Sequence, residues 1–381
     1  MINFFKWLFI SKYIWKKPEK KKILIYDRNG LIFFLRYFKK DNITTLDIRK
    51  ESLNIPIFLI TLFKSGLKNL FLNYTINYIE MVNPALILTM TDTDLRFYQL
   101  KDKLNIYPKF IAIQNGLIGG RNFFEKSYKE ILKKKLNLTC DFFFCANPKI
   151  VKYYNKIIKA KFFSIGSFKN NAIIIKKKKP HFILFISQFI PPKKNLTDIF
   201  FRDKNIQVTY KQFYADDISI LNKLNFFCQK RKIKLFIKLR NSYSFQEKKF
   251  YYENLNFKNV NFKKTKNIIE DYQILDAAKV VVFLDSFLGY EAFARGNRVA
   301  AFSIRCKTLK LSSSNFADNE LPNHGVFWTN ENSQKRLNLI MNKVLTMSNS
   351  NWSLIKKKLE NNIMLYDKNN SKFRKLIKKI T

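Results

Sequence analysis

Acidic residues are scarce in this chain: 28 Asp and Glu stand against 71 Lys and Arg, a formal net charge of +43 over 381 residues. So basic a protein suits phosphate-bearing partners, and nucleic acid is the first one that charge suggests. Lys, Asn, Ile, Phe and Tyr are abundant together, however, as an AT-rich coding sequence produces. The lysines then read as solvated surface, and specific nucleic-acid binding is not expected. Anionic lipid surfaces and anionic substrates fit the charge equally well. Cysteine is rare too. Cys140, Cys145, Cys228 and Cys306 are too scattered for a disulfide framework or a zinc ribbon, and read as core thiols in a reducing cytosol. No apolar run reaches the roughly 18 residues of a membrane span. No small-residue cleavage site follows the first residues, so a secretory signal is not expected. There is no GxGxxG, no Walker lysine loop, no paired-carboxylate spacing of a hydrolase and no metal-ligand cluster, which argues against a dehydrogenase, a nucleoside triphosphatase and a metal site.

What is present is a repeated alternation of strand and helix, the pattern of a parallel sheet with helices on its faces. The length suits two such domains. Lys22–Tyr26, Ala85–Thr89, Phe110–Ile113, Asp141–Cys145 and Phe162–Ile165 read as strands of the first. Helices are expected over Ile57–Met81, over Glu125–Leu136 and from Pro148 through Ile158. Lys176–Lys179 followed by Pro180 reads as the linker. His181–Gln188, Lys234–Lys238 and Asn259–Phe262 then read as strands of the second domain, with a helix over Ile218–Arg231. Residues 1–22 form a basic, aromatic-rich arm. A helix there ending before Pro18 has the composition of an interfacial helix, or packs on the first domain.

The most informative segment is Lys279–Ser303. Val280–Leu284 is a continuous apolar run, as in a strand buried on both faces. Asp285 and Ser286 supply N-cap chemistry, and Gly296 stands where the following helix needs a left-handed stop. A helix N-terminus at the carboxyl end of a parallel strand is a natural phosphate site. Glu291, one turn further in, suits a sugar or ribose hydroxyl. An ordinary βαβ unit has the same spacing.

The stretch DSFLGYEAFARGNRVAAFS resembles the donor-site signature of GT-B glycosyltransferases. With FIAIQNGLIGG (110–120) and LTMTDTDLRFYQL (88–100), the chain resembles bacterial surface carbohydrate biosynthesis proteins over most of residues 23–335. The resemblance implies two Rossmann-like domains facing a cleft: an acceptor domain over 23–175, a nucleotide-sugar domain over 176–335, and a helical tail over 336–381 that returns to the first domain. It implies a cytoplasmic, metal-independent glycosyltransferase, peripheral on the inner face of the membrane, with a nucleotide-sugar donor, a glycan or lipid-linked acceptor and no cofactor. A nucleotide-sugar 2-epimerase or a non-catalytic nucleotide-sugar binder shares the fold.

Three strand ends of the second domain are expected to converge as the donor site: Ser187 and Gln188, Lys238 and Arg240, and Ser286 with Glu291. Lys238 and Arg240 flank one residue, so both point the same way and pair well with a diphosphate. In the first domain, Gln114 and Asn115 follow a strand. The resemblance puts a histidine base near this position in related transferases, whereas Asn115 takes no proton at neutral pH. His324, in PNHGVFW, is a loop candidate for the cleft. Asp92 and Asp94 are the candidate carboxylate bases for an acceptor hydroxyl. They read equally as N-caps of the next helix. Asp27, after the first strand, is a further candidate.

Overall fold

The computed structural model describes all residues except 1–7, 29, 50, 117–127, 130, 134–135, 175–179, 204–205, 312–315, 320 and 381. It divides into two compact units. Among the described residues, unit 1 comprises those up to Asn115, those from 128 to Ala172 and those from Asp367 onward. Unit 2 comprises Gly116 and those from Ile173 to Tyr366.

Unit 1 is built on β1 (Ile23–Ile25), β2 (Ile43–Thr45), β3 (Leu86–Thr89), β4 (Lys109–Ile113), β5 (Thr139–Cys145) and β6 (Lys159–Ser164). All pairings are parallel, in the order β2-β1-β3-β4-β5-β6. The apolar stretch expected as one helix over Ile57–Met81 is instead two, α1 (Ile55–Ser65) and α2 (Leu70–Val82), bent by 118° across the break that Gly66 opens. No single described helix is long and apolar enough to cross a membrane. α3 (Leu95–Leu100) and α4 (Pro148–Tyr154) complete the connections.

One expectation fails in the N-terminal arm, and others fall partly or wholly outside the description. Lys12–Ile14 is a strand rather than part of a helix, because it pairs in parallel with Ser52–Asn54. Half of the stretch expected as a helix over Glu125–Leu136 lies outside the described residues, and residues 128–129 and 131–133 of it are helical; the linker Lys176–Lys179 and Phe4, Phe5 and Trp7 lie outside the description.

Unit 2 contains β7 (Phe182–Ile186), β8 (Lys234–Lys238), β9 (Asn261–Lys263), β10 (Ala278–Phe283), β11 (Val299–Phe302) and β12 (Trp328–Thr329). They too are all parallel, in the order β9-β8-β7-β10-β11-β12. Counted along the unit this is 3-2-1-4-5-6, the doubly wound order that reverses direction between its first and fourth strands. Every residue of FILFI in β7 is buried, as a strand covered by helices on both faces requires. α5 (Tyr210–Lys230) begins with a capping box between Thr209 and Gln212, and α6 (Ser244–Asn254) and α7 (Ile268–Ala277) follow. α8 (Phe287–Ala294) ends before Gly296, which takes φ 85° as a left-handed stop.

The helical tail does not act as one piece. α9 (Gln334–Thr346) and α10 (Asn349–Leu359) stay with unit 2, held by Arg298, whose guanidinium donates to the carbonyls of Leu345 (2.9 Å) and Met347. Only the last helix, α11 (Ser371–Ile380), returns to unit 1. There Phe373 packs within 4.9 Å of Phe168, 5.4 Å of Phe144 and 5.6 Å of Tyr37, ring centroid to ring centroid. Cys140, Cys145 and Cys228 are buried free thiols, pushed above their ordinary pKa by burial.

α8 lies so close on β10 that a Cβ at Gly289 would stand 2.2 Å from the Phe283 ring. Gly289→Ala is therefore expected to cost about 1–3 kcal/mol through overpacking. Urea denaturation of the variant beside the parent measures it, and an unchanged midpoint would mean that the contact relaxes freely.

Candidate functional site

β7, β8 and β10 end side by side, and the segments leaving them line a cavity of 480 Å³ within unit 2. Ser187, Gln188, Lys238, Arg240 and Ser286 all contribute to its wall, with Asp271, Leu288, Phe200 and Phe213. Five of the six expected donor-site residues are thus brought together. The place is the switch point of the sheet, where two neighbouring connections depart to opposite faces and leave a crevice.

Each side chain is held by the local structure. The Ser187 hydroxyl accepts from the Phe189 N–H at 3.1 Å and lies 2.7 Å from the Tyr251 hydroxyl. Lys238, buried at the end of β8, pairs with Asp271 at 2.8 Å and donates to the Leu239 carbonyl at 3.1 Å. Arg240, two residues on, is exposed and lies 6.0 Å from the centre of the Tyr243 ring. Its guanidinium makes no ion pair among the described residues, so its charge is free for an anion. Ser286 occupies the N-cap position of α8 without using its hydroxyl as a cap. That hydroxyl, the amino-terminal end of α8 and the Arg240 fork form a set of donors suited to a diphosphate.

Glu291 is the exception. It is buried within α8 and faces the Tyr272 phenol of α7, whose pKa is driven well above its usual value by burial and by the neighbouring carboxylate. It does not line the cavity, because the turn of the helix carries it onto the α7 side rather than toward the strand ends.

Two groups at the site were not anticipated. Glu247 in α6 is buried, and its Oε2 accepts the Arg240 backbone N–H at 2.8 Å. Burial pushes its carboxyl up to about 7 against the opposing pull of the Ser187 hydroxyl, that N–H and the charges of Lys238 and Arg240. Arg305, fully buried, donates to Gln188 Oε1 (3.2 Å), Asp285 Oδ2 (2.7 Å), Asp217 Oδ1 (2.9 Å) and the Phe213 carbonyl (3.2 Å), and lies 3.6 Å above the Phe213 ring. The signal for it was Asp216 and Asp217, two acids on a helix face otherwise made of Tyr210, Tyr214, Ile220 and Leu221.

In unit 1, Asp27, Asp92, Gln114 and Asn115 gather at the carboxyl ends of β1, β3 and β4. Asp27 pairs with Arg49 at 2.8 Å and accepts from Thr91 at 2.7 Å. Asp92 is buried, accepting from the Tyr154 hydroxyl (2.5 Å) and the Asn115 N–H (3.1 Å), and burial pushes it up to about 6. Asp94 caps α3 and forms an ion pair with Arg96 at 2.7 Å. Neither of the two carboxylates expected as bases is open to an acceptor hydroxyl. Gln114 is buried and accepts from the Ala146 N–H at 2.8 Å. The Asn115 side-chain oxygen is buried without a hydrogen-bond donor among the described residues. His324 is exposed in a turn of unit 2, bridged to Thr329, and lines no part of the 480 Å³ cavity. Among the described residues no group of three or more His, Cys, Asp or Glu could hold a metal ion.

Residues 111–381 match the protein family described as "putative O-antigen biosynthesis protein". A search of the curated proteins found no match. Among solved structures, the UDP-GlcNAc 2-epimerase of Methanocaldococcus jannaschii is 14% identical. The alignment covers 94% of this chain and 100% of that one, with a TM-score of 0.52. The wall teichoic acid polymerase TagF is 8% identical, over 95% of this chain and 89% of that one, with a TM-score of 0.51. Identities this low establish the shared fold: two Rossmann-like domains of the GT-B kind.

Glu247 makes the stability of unit 2 dependent on pH. The unfolded carboxyl ionises near 4.5 and the folded one near 7, so folding binds a proton between these values. Its contribution is full below about 4.5 and is lost as pH rises through about 7. Glu247→Gln is expected to flatten the decline in urea midpoint between these limits. An undiminished decline would assign it to other groups of unit 2, Asp217 first.

Proposed function

The chain belongs to this family of O-antigen biosynthesis proteins, and we propose that it is a GT-B glycosyltransferase of surface polysaccharide assembly. On this reading unit 2 binds a nucleoside-diphosphate sugar in the 480 Å³ cavity, and the acceptor is a glycan or a lipid-linked glycan. The observation that carries the reading is the unpaired Arg240 guanidinium facing a crevice at the sheet's switch point, beside Ser286 and the amide end of α8. As the glycosidic bond to the leaving diphosphate breaks, negative charge grows on the phosphate oxygens. Arg240, Lys238 and the α8 amides are placed to stabilise that charge without reorganising, a metal-independent route. Lys238 contributes less than its formal charge, since Asp271 offsets it.

The proposal gives no base role to Asp92 or Asp94, whose oxygens are already engaged. It includes a position at the inner face of the cytoplasmic membrane, where a lipid-linked acceptor is met. A 2-epimerase needs acid and base carboxylates around the sugar ring. The one carboxylate in the described wall of the cavity is Asp271, which is bound to Lys238 and Thr265.

Titration calorimetry with UDP-, GDP-, CDP- and CMP-sugars tests this. One nucleotide class is expected to bind, with Arg240→Ala weakening it by roughly 10- to 100-fold through loss of charge-assisted hydrogen bonds. Ser286→Ala should weaken it by a smaller factor and Glu291→Gln hardly at all. A folded protein that binds none of the four classes would overturn the donor assignment.

A further inference from the structure

The hydrogen-bonded start of unit 1 leaves large apolar side chains in solvent on two consecutive elements. Residues 12–14 pair with Ser52–Asn54, and the chain passes from Asn54 straight into α1. Asn54 locks the two together: its side chain accepts from the Ile57 N–H at 3.2 Å as the helix cap and donates to the Lys16 carbonyl at 2.9 Å. Flanking the first element, Phe9 is 84% exposed and Trp15 74%. On the second, Leu59 and Phe63, one turn apart, are 46% and 90% exposed, and Leu67, in the turn after the Gly66 break, is 70% exposed. These groups are not buried within the unit, and exposed apolar side chains on adjoining segments of this kind point to an interaction surface.

The charges around them point to the partner. Lys12, Lys16, Lys17, Lys64 and Lys68 are all exposed and interleaved with the apolar residues. The acids of the same two stretches are Glu51 and Glu19, the latter held between Lys16 and Lys21. An aqueous protein interface tends to exclude lysine from its apolar centre. A bilayer surface accepts aromatic and aliphatic groups at the acyl boundary while lysines reach the headgroups. Each lysine near an anionic surface adds to the attraction.

We propose that residues 9–16 together with the outer edge of α1 form a docking surface for an anionic lipid bilayer. This deepens the membrane placement in the proposed function by naming the surface that makes it, and it is independent of the sugar-nucleotide site. Among the described residues, the elements that dock include the strand Lys12–Ile14 and the first half of a broken helix pair.

Flotation with vesicles of phosphatidylcholine alone and of phosphatidylcholine with phosphatidylglycerol tests it, with no nucleotide present. Binding is expected to the mixed vesicles and to fall as salt rises. Phe63→Ser with Leu67→Ser, and separately Trp15→Ser, should each weaken it about tenfold or more, given the apolar area withdrawn. Lys64→Glu with Lys68→Glu should weaken binding to the anionic vesicles at unchanged thermal midpoint. All five positions are exposed, so folded variants are expected, and the midpoint checks this. Full binding by the folded apolar variants would overturn the proposal, as would equal binding to both vesicle types. So would a concentration-dependent dimer that the same substitutions dissolve, since the surface would then serve a second copy of the chain. Absence of sugar-nucleotide binding leaves the vesicle result standing, and the reverse holds too.

Discussion

The buried guanidinium of Arg305 is the interaction on which the donor-type site depends. It ties Gln188 at the exit of β7 to Asp285 at the exit of β10, and both to Asp217 and the Phe213 carbonyl of α5. These exits are the two sides of the switch-point crevice, and Gln188 and Phe213 are themselves part of its wall. A parallel sheet opens a crevice there whatever its sequence. What the chain adds is a fixed width, set by one planar cation with donors facing several directions. Such an arrangement contributes little net stability over an apolar core. Its components cannot be removed singly, however, because each would leave a buried charge uncompensated.

Part of the scarce acid is spent in the interior. Asp27, Asp92, Asp216, Asp217, Asp276, Glu247 and Glu291 are buried, and Asp217 and Asp276 hold arginines that are nearly as deep. The excess of lysine is consequently carried on the outside, where few carboxylates meet it. The net charge of +43 therefore understates how positive the surface is. Attraction to anionic surfaces is then a property of the whole molecule, while orientation on them depends on where apolar groups accompany the charge.

Much of the fold was legible because both sheets are parallel and fully buried, which writes each strand as a short apolar block between turn residues. The DSFLGYEAFARG segment was legible in detail: Ser286 stands at the N-cap, Gly296 takes the left-handed stop, and the strand before them lies in the sheet. Convergence of Ser187, Lys238 and Ser286 followed from strand order alone. What sequence pattern does not carry is the direction of a buried polar side chain. Glu291 and Glu247 exchanged expected importance for this reason: a one-turn offset in α8 sends Glu291 to Tyr272, while a long-range hydrogen bond brings Glu247 under Arg240. Periodicity also missed the break between α1 and α2, since both halves are apolar and only Gly66 separates their axes. The strand at Lys12–Ile14 was hidden because its partner lies some forty residues away.

The return of α11 to unit 1 has a consequence for the order of events at the ribosome. Phe373 enters an aromatic group with Tyr37, Phe144 and Phe168, the last of which is synthesised some two hundred residues earlier. At about 5–20 residues per second that interval lasts on the order of 10–40 s. The unit that emerges first is therefore completed last, and through that interval its socket for Phe373 stays open. A chain arrested before Phe373 would carry its defect not where it stopped but in unit 1, made long before.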